Sequence, residues 1–196
     1  MSELDGLRQE CLNCRRCEIG GRKIEGCLSN VFSNMNPDAK VMVVGQNPGR
    51  QEVEEGEPFV GASGKFFDEA VKGVLGLGRS DFYISNIVRC FTPQNRPPSV
   101  REVSNCRAFL DREIEIVKPV VMIVLGSPSF KQITGMSGIT KHHGRVVFSP
   151  RYGVQVMPLF HPSPYNTNNP ERRRIFYEDL EKLGEILDEA RSDSGR

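Results

Sequence analysis

The sequence predicts an α/β sandwich with a largely parallel central sheet. Two observations lead there. Short apolar runs alternate along the 196 residues with stretches whose apolar side chains recur at helical spacing. The turns that follow those runs are rich in Gly, Pro, Asn and Ser. Residues 40–45 read as a buried strand ending in a turn, and residues 82–88 as a second strand. Between them Ser63 can cap a helix whose apolar face carries Phe66, Phe67, Ala70, Val71, Val74 and Leu75. Pro97 and Pro98 break the chain, and Ser99 with Glu102 fits a capping box. The helix it opens presents Val103, Cys106, Leu110, Ile114 and Val117, and Pro119 stops it. Residues 120–125 form the third strand and residues 127–133 a short helix. Residues 145–148 and 154–159 read as two more strands around a turn at 149–153. Asn169, Pro170 and Glu171 are a cap, a first-turn proline and a first-turn acid, opening a helix to about residue 190. The tail, residues 191–196, is expected to fray.

Length suits one domain over residues 1–196, with residues 1–30 as an N-terminal arm. A net charge of +1 neither predicts nor excludes nucleic acid, so local clusters carry the information. No apolar run approaches the ~20 residues that span a bilayer. The first residues lack the apolar core of a signal peptide, which points to a cytoplasmic protein and no membrane. In that compartment six cysteines are thiols or metal ligands rather than disulfides. Cys14 and Cys17 form a C-x2-C pair, and Cys90 and Cys106 a distant pair. A tight pair plus a distant pair can build a four-thiolate zinc or iron–sulfur site. Cys11 has the spacing to replace Cys14 or Cys17, and Cys27 fits a small core residue.

In a parallel sheet, ligands bind beyond the carboxyl ends of the strands. Four segments fall there: Gly45–Gly49, Asn86, Gly126–Ser127 and His161–Pro164. Singly each is an ordinary turn; together they favour a site. Gln46 and Asn47 offer amides that donate and accept hydrogen bonds but take no proton at neutral pH. Hydrolysis there would rely on orienting water and stabilising a leaving group. Phe59 is either a stacking platform for a flat ligand or a core aromatic. Asn86 offers a donor beside an acceptor, suited to a pyrimidine edge or to a structural bond with the next loop. His161 ends a buried strand, where it could donate to a developing anion. Its loop leads into a helix N-terminus that attracts phosphate, followed by Arg172, Arg173 and Arg174, which suit a nucleic-acid backbone or a solvated face. Lys141–Arg145 reads as a basic loop facing DNA, with Arg145 at its end, and fits no zinc pattern. The acids Glu52, Glu54, Glu55 and Glu57 read as a solvated loop.

Taken in order, C-x2-C, G-Q-N-P-G, G-E-P-F-V-G, I-S-N-I-V-R-C, C-x15-C and H-P-S-P resemble the family-four uracil-DNA glycosylases, the iron–sulfur branch of their superfamily. The resemblance runs from about Cys14 to about Leu183. It implies a three-layer α/β/α sandwich with a four-stranded sheet and a [4Fe–4S] cluster on Cys14, Cys17, Cys90 and Cys106, with zinc as the alternative. It also implies hydrolysis of deoxyuridine in uracil-containing DNA, by a monofunctional enzyme expected to be a monomer. Phe59 matches the ring that stacks on the flipped uracil, Asn86 the amide that reads it, and His161 the donor to the leaving base. Gly45, Gln46 and Asn47 join them in contacting the base. Ser163 to Thr167 matches the segment that fills the gap in the stack, with Tyr165 as the wedge. Flipping is required because the glycosidic bond is out of reach inside a duplex.

The family usually reads G-E-A-P-G where this chain has Gln46 and Asn47. The Gly-x-Asn-Pro-Gly pattern looks like the mismatch-specific and single-strand-selective branches, where the asparagine positions water. Catalysis is therefore assigned to Asn47 and His161, with Gln46 in support. Ala62 stands where the family often has Arg. Gly49 leaves room where a uracil-specific branch has a bulky residue, so tolerance of hypoxanthine, thymine or other bases is expected. The remaining alternative is an iron–sulfur or zinc protein that binds DNA but has weak catalysis.

Overall fold

The computed structural model describes residues 2–194, apart from the side chains of Cys27 and of residues 189–194. The arm begins with helix α1 (Glu3–Leu12), which the apolar pattern did not announce. Ser2 and Asp5 close a capping box at its start, and Leu4, Leu7 and Cys11 make its buried face. A short hairpin follows, β1 (Lys23–Ile24) against β2 (Cys27–Leu28). The expectation for the Cys27 side chain lies outside the described residues.

The body alternates strands and helices in chain order: β3 (Val41–Gly45), α2 (Arg50–Glu55), α3 (Ala62–Leu75), β4 (Phe82–Asn86), α4 (Val100–Val117), β5 (Val121–Leu125), α5 (Ser127–Thr134), α6 (Ile139–His142), β6 (Val147–Ser149), β7 (Val154–Leu159), α7 (Pro164–Thr167) and α8 (Pro170–Ser194). The sheet order is β4-β3-β5-β7-β6. The first four strands are mutually parallel, and β6 runs antiparallel to β7 at the edge. The four-stranded sheet implied by the resemblance is thus corrected to five. The turn at 149–153 is short enough to fold β6 back onto β7, which only an antiparallel pairing permits.

Strands covered on both faces must be apolar at every position, and β3, β4 and β5 are buried throughout. Alternation divides their side chains. Met42, Val44, Tyr83, Met122, Val124 and Val156 pack with Leu4 and Leu7 of α1 and Phe109 and Leu110 of α4. Val41, Val43, Phe82, Ile84, Val121, Ile123, Met157 and Leu159 pack with Phe67 and Val71 of α3 and Phe176, Leu180 and Leu183 of α8. The result is two cores and three layers.

Four local expectations change. The acidic stretch after Gly49 is the helix α2, with Val53 buried, rather than a loop. Helix α3 is capped by Gly61, two residues before Ser63, because the chain turns in at Phe59. Strand β4 ends at Asn86, although the N–H groups of Ile87 and Val88 still donate to the carbonyls of Gly45 and Gln46 at 2.9 Å each. Helix α8 continues to Ser194, past the expected end, and residues 195 and 196 lie outside the described residues.

Candidate active site

The carboxyl ends of β3, β4 and β7 open on a cavity of about 400 Å³. Gln46, Asn47, Gly49, Glu52, Phe59, Asn86, His161 and Ser163 are among the residues that line it. Register brings the first of these together. Gly45 and Asn86 are direct partners on the parallel strands β3 and β4. A Cβ on Gly45 would stand 2.4 Å from the Phe59 ring and 2.5 Å from Asn86 Oδ1. Glycine is therefore what lets the ring and the carboxamide meet at the pocket floor.

Asn86 is 2% exposed, and its Oδ1 has no hydrogen-bond partner among the described residues. A buried acceptor left unpaired costs about 1–3 kcal/mol, so an orphan at the wall of a cavity marks a place where a donor is expected. The reading of Asn86 as a bond to the neighbouring loop finds no such bond. Its backbone carbonyl accepts from the guanidinium of Arg89.

Phe59 sits at φ 57°, the left-handed region that a non-glycine residue adopts at a cost. Arg79 holds it there by donating to the carbonyls of Phe59 (3.0 Å) and Pro58. Gly64 of α3 lets the helix press against the Phe59 carbonyl, where a Cβ would come within 1.8 Å. The ring then faces His161 at 6.2 Å between centroids, tilted by 37°, and Phe67 edge-on at 6.5 Å. Arg79 has no counterpart in the sequence reading, where nothing linked it to a ring twenty residues earlier.

His161 follows β7 and lies beside Gly126, whose φ of +85° turns the chain after β5. Burial pulls the His161 pKa down to about 4, with the negative charge of Glu52 opposing the shift. The imidazole is thus neutral at physiological pH and carries one N–H. Asn47 Nδ2 donates to the Pro48 carbonyl at 3.0 Å and to Asn95 Oδ1 at 3.4 Å, leaving its own oxygen as the available acceptor.

Glu52 departs from the solvated loop expected of it and lines the cavity. Its neighbours on α2 pair among themselves: Arg50 with Glu54 at 3.1 Å and Gln51 with Glu55 at 2.8 Å. Glu52 instead accepts the Gly61 N–H at 2.9 Å through Oε1. A Cβ on Gly49 would stand 2.6 Å from its Oε2. The space beside Gly49 is therefore shared with a carboxylate that lines the same cavity. Four acids within residues 52–57 offer no pattern that sets this one apart.

The loop after His161 carries Ser163, which caps α7, and Tyr165, which is 79% exposed at the rim. Arg172 does not project freely. Its guanidinium lies 5.7 Å from the Phe160 ring centroid and 5.4 Å from that of Tyr165, and Nη1 donates to Asn166 Oδ1 at 2.5 Å. Arg173 covers the Phe66 ring and Arg174 pairs with Glu178. Lys141 and His142 end the helix α6 rather than lying in the expected basic loop, and both imidazoles turn inward, His142 onto Phe130 and His143 onto Phe160 and Asp179, while Lys141 and Arg145 stay exposed.

The four predicted cysteines belong to one apolar cluster with α1 and α4. Cys14 and Cys17 lie in the loop after α1, Cys90 pairs with Asn30 in an isolated bridge, and Cys106 is on α4. Asn105 Nδ2 donates to the Arg16 carbonyl at 2.8 Å and Arg16 covers the Phe109 ring, so α4 holds the C-x2-C loop. Burial raises the Cys90 pKa, and Cys106, Cys11, Cys17 and Cys14 raise it further, as expected of sulfurs close together. The backbone N–H of Arg89 partly offsets the same effect at Cys106. Burial pushes the Cys11 pKa up to about 12 on the inner face of α1. Among the described residues, no three His, Cys, Asp or Glu side chains stand as a ready grip for a metal ion. The donor set is all thiol, the chemistry of a thiolate-ligated group. Beside it Arg89 and Glu113, 1% and 0% exposed, form an ion pair at 2.5 Å.

Comparison with known proteins agrees with this geometry. Residues 32–182 match the family model described as the uracil DNA glycosylase superfamily. Proteins named type-4 uracil-DNA glycosylase are similar over most of the chain. One from Sulfurisphaera tokodaii is 34% identical over 95% of this chain and 86% of its own length. One from Pyrobaculum aerophilum is 44% identical over 91% of each. One from Thermotoga maritima is 39% identical over 80% of this chain and 82% of its own. The chain belongs to the uracil DNA glycosylase superfamily, within its type-4 family.

Proposed function

We propose that this protein is a monofunctional DNA glycosylase that hydrolyses the N-glycosidic bond of deoxyuridine in DNA, releasing uracil and leaving an abasic site. The observation that carries the reading is the orphaned Oδ1 of Asn86, buried at the floor of a cavity walled by Phe59 and His161. A flipped uracil stacked on Phe59 presents N3–H to that oxygen and O4 to the amide N–H. His161, neutral, donates its N–H toward O2, where charge builds as the bond to N1 breaks. Asn47 orients the water that adds to the sugar carbon. The electron pair of the broken bond leaves on uracil, and the proton released by the water is taken up through solvent. No strong base is required, because stabilising the departing anion supplies the larger part of the acceleration.

Tyr165 is suited to fill the stack, and the exposed Arg145 to meet the DNA backbone. The thiols of Cys14, Cys17, Cys90 and Cys106 would hold a [4Fe–4S] cluster, favoured over zinc by the resemblance of the chain to the iron–sulfur branch. Bound there, the cluster would tie the N-terminal arm to α4 and supply no step of the hydrolysis. A gel assay on a uracil-containing oligonucleotide, with alkali to cut abasic sites, tests the activity. Intact DNA binding without cleavage would leave a binding protein instead. A brown protein with thiolate-to-iron absorption supports the cluster; a colourless, zinc-loaded one refutes it.

A further inference from the structure

Arg172, read from sequence as a DNA phosphate contact, makes four contacts within its own chain. Its guanidinium packs on Phe160 and on Tyr165. Its Nη1 donates to Asn166 Oδ1 at 2.5 Å, and Asn166 Nδ2 donates onward to the His161 carbonyl at 2.7 Å. The origin of the arginine is fixed as well. Asn169 Oδ1 accepts the backbone N–H groups of Glu171 and Arg172 at 3.0 and 3.1 Å, which caps α8 and sets where the side chain starts. The segment from His161 to Arg172 is thus a closed circuit. It runs from the carbonyl of the residue that faces the base, through Asn166, to the guanidinium, and back through the two rings that flank it.

Tyr165 is otherwise 79% exposed, on a four-residue helix that has no apolar face of its own to bury. A side chain that must push into a base stack has to resist being pushed back. Arg172 is the contact that gives it a backing, and the planar fork that stacks on a ring while holding an amide is specific to arginine. We infer that Arg172 is a positioning residue which holds Tyr165 and its loop in the conformation that fills the gap left by a flipped base. The inference rests on the glycosylase reading above and deepens it.

It makes a distinctive demand. A rigid wedge matters where a stack must be opened, and matters far less on a single strand with no partner to displace. Cleavage rates of wild type, Arg172→Lys and Arg172→Gln are to be measured on one uracil oligonucleotide, single-stranded and in duplex, at several salt concentrations. Both variants are expected to lower the duplex-to-single-strand rate ratio by at least about tenfold, because lysine keeps the charge but not the fork. Asn166→Ala, which breaks the circuit from the loop side, should lower the ratio as well. 2-Aminopurine beside the uracil should show a smaller flipping signal in each variant. Rescue by lysine, or equal loss on both substrates with a salt slope reduced by about one, would mean a phosphate contact and overturn the inference. An unchanged ratio in all three variants would also overturn it while leaving the glycosylase reading intact. Absence of cleavage by the wild type would overturn the glycosylase reading first.

Discussion

Replacing Asn86 by alanine should have opposite effects on catalysis and on the resting protein. Oδ1 is a buried acceptor with no partner among the described residues, so removing it relieves roughly 1–3 kcal/mol of desolvation cost. The small cavity left behind costs an amount of similar size, so the net change in stability should be close to zero. With uracil in the pocket the balance differs. The base loses two hydrogen bonds, and its N3–H and O4 are left unpaired in a site shut off by Phe59. At about 1–3 kcal/mol for each unsatisfied group, the transition state is raised by roughly 2–6 kcal/mol. At 1.36 kcal/mol per tenfold, kcat/KM should fall between about 30-fold and about 10⁴-fold. Single-turnover cleavage of a uracil duplex measures the first quantity and thermal melting the second. If Asn86 were a structural hydrogen-bonder, the signs would reverse: a melting temperature several degrees lower with cleavage within about threefold of wild type. That result would falsify the assignment of Asn86 as the residue that reads the base.

Three further outcomes follow from neighbouring groups. Glu52→Ala opens the space beside Gly49 that the carboxylate shares, so cleavage of thymine opposite guanine should appear in the variant and be absent from the wild type. A duplex panel with uracil, thymine, hypoxanthine and ethenocytosine checks this, and thymine cleavage by the wild type counts against it. His161 titrates at about 4 when folded and near 6.5 when unfolded, so the unfolded chain binds the proton first as pH falls. Stability should therefore decline from about pH 6.5 toward pH 4 and then level off for this group, and His161→Gln should flatten that window in melting curves. Glu113→Gln strips a fully buried guanidinium of its counter-charge, at a cost of roughly 3–5 kcal/mol. A melting temperature lowered by about 6–20 °C is expected, and a drop of less than 2 °C would show that Arg89 finds another partner.

Much of this site was readable in sequence because strand ends are easy to find. The apolar runs located β3, β4, β5 and β7, and polar residues just beyond them had to collect at one sheet edge. Asn47, Asn86 and His161 were found that way, and all three line the cavity. Register was not readable. The pairing of Gly45 with Asn86 depends on how β4 lies along β3. Nor was the fate of long side chains. The sequence reads Arg172 as a nucleic-acid contact or a solvated residue and attaches no role to Arg79. Arg79 holds the carbonyl of Phe59, Arg96 holds Glu102 at 2.7 and 2.8 Å, and Arg172 holds Asn166. Such partners are chosen by distance in space, to which a single sequence gives no access. Helix α1 was overlooked because its buried face is only three residues and its charges dominate the pattern.

The sequence by itself determined the layered α/β architecture, the family and the strand ends that carry Asn47, Asn86 and His161. Those properties follow from periodicity and from the order of motifs, both of which are written along one dimension. Tertiary structure alone decided that the Glu52 carboxylate lies beside Gly49, that Asn86 Oδ1 has no partner among the described residues, and that the Arg172 guanidinium packs on Phe160 and Tyr165. Those properties depend on which atoms meet across the sheet edge, and the same residues in another register would have met others.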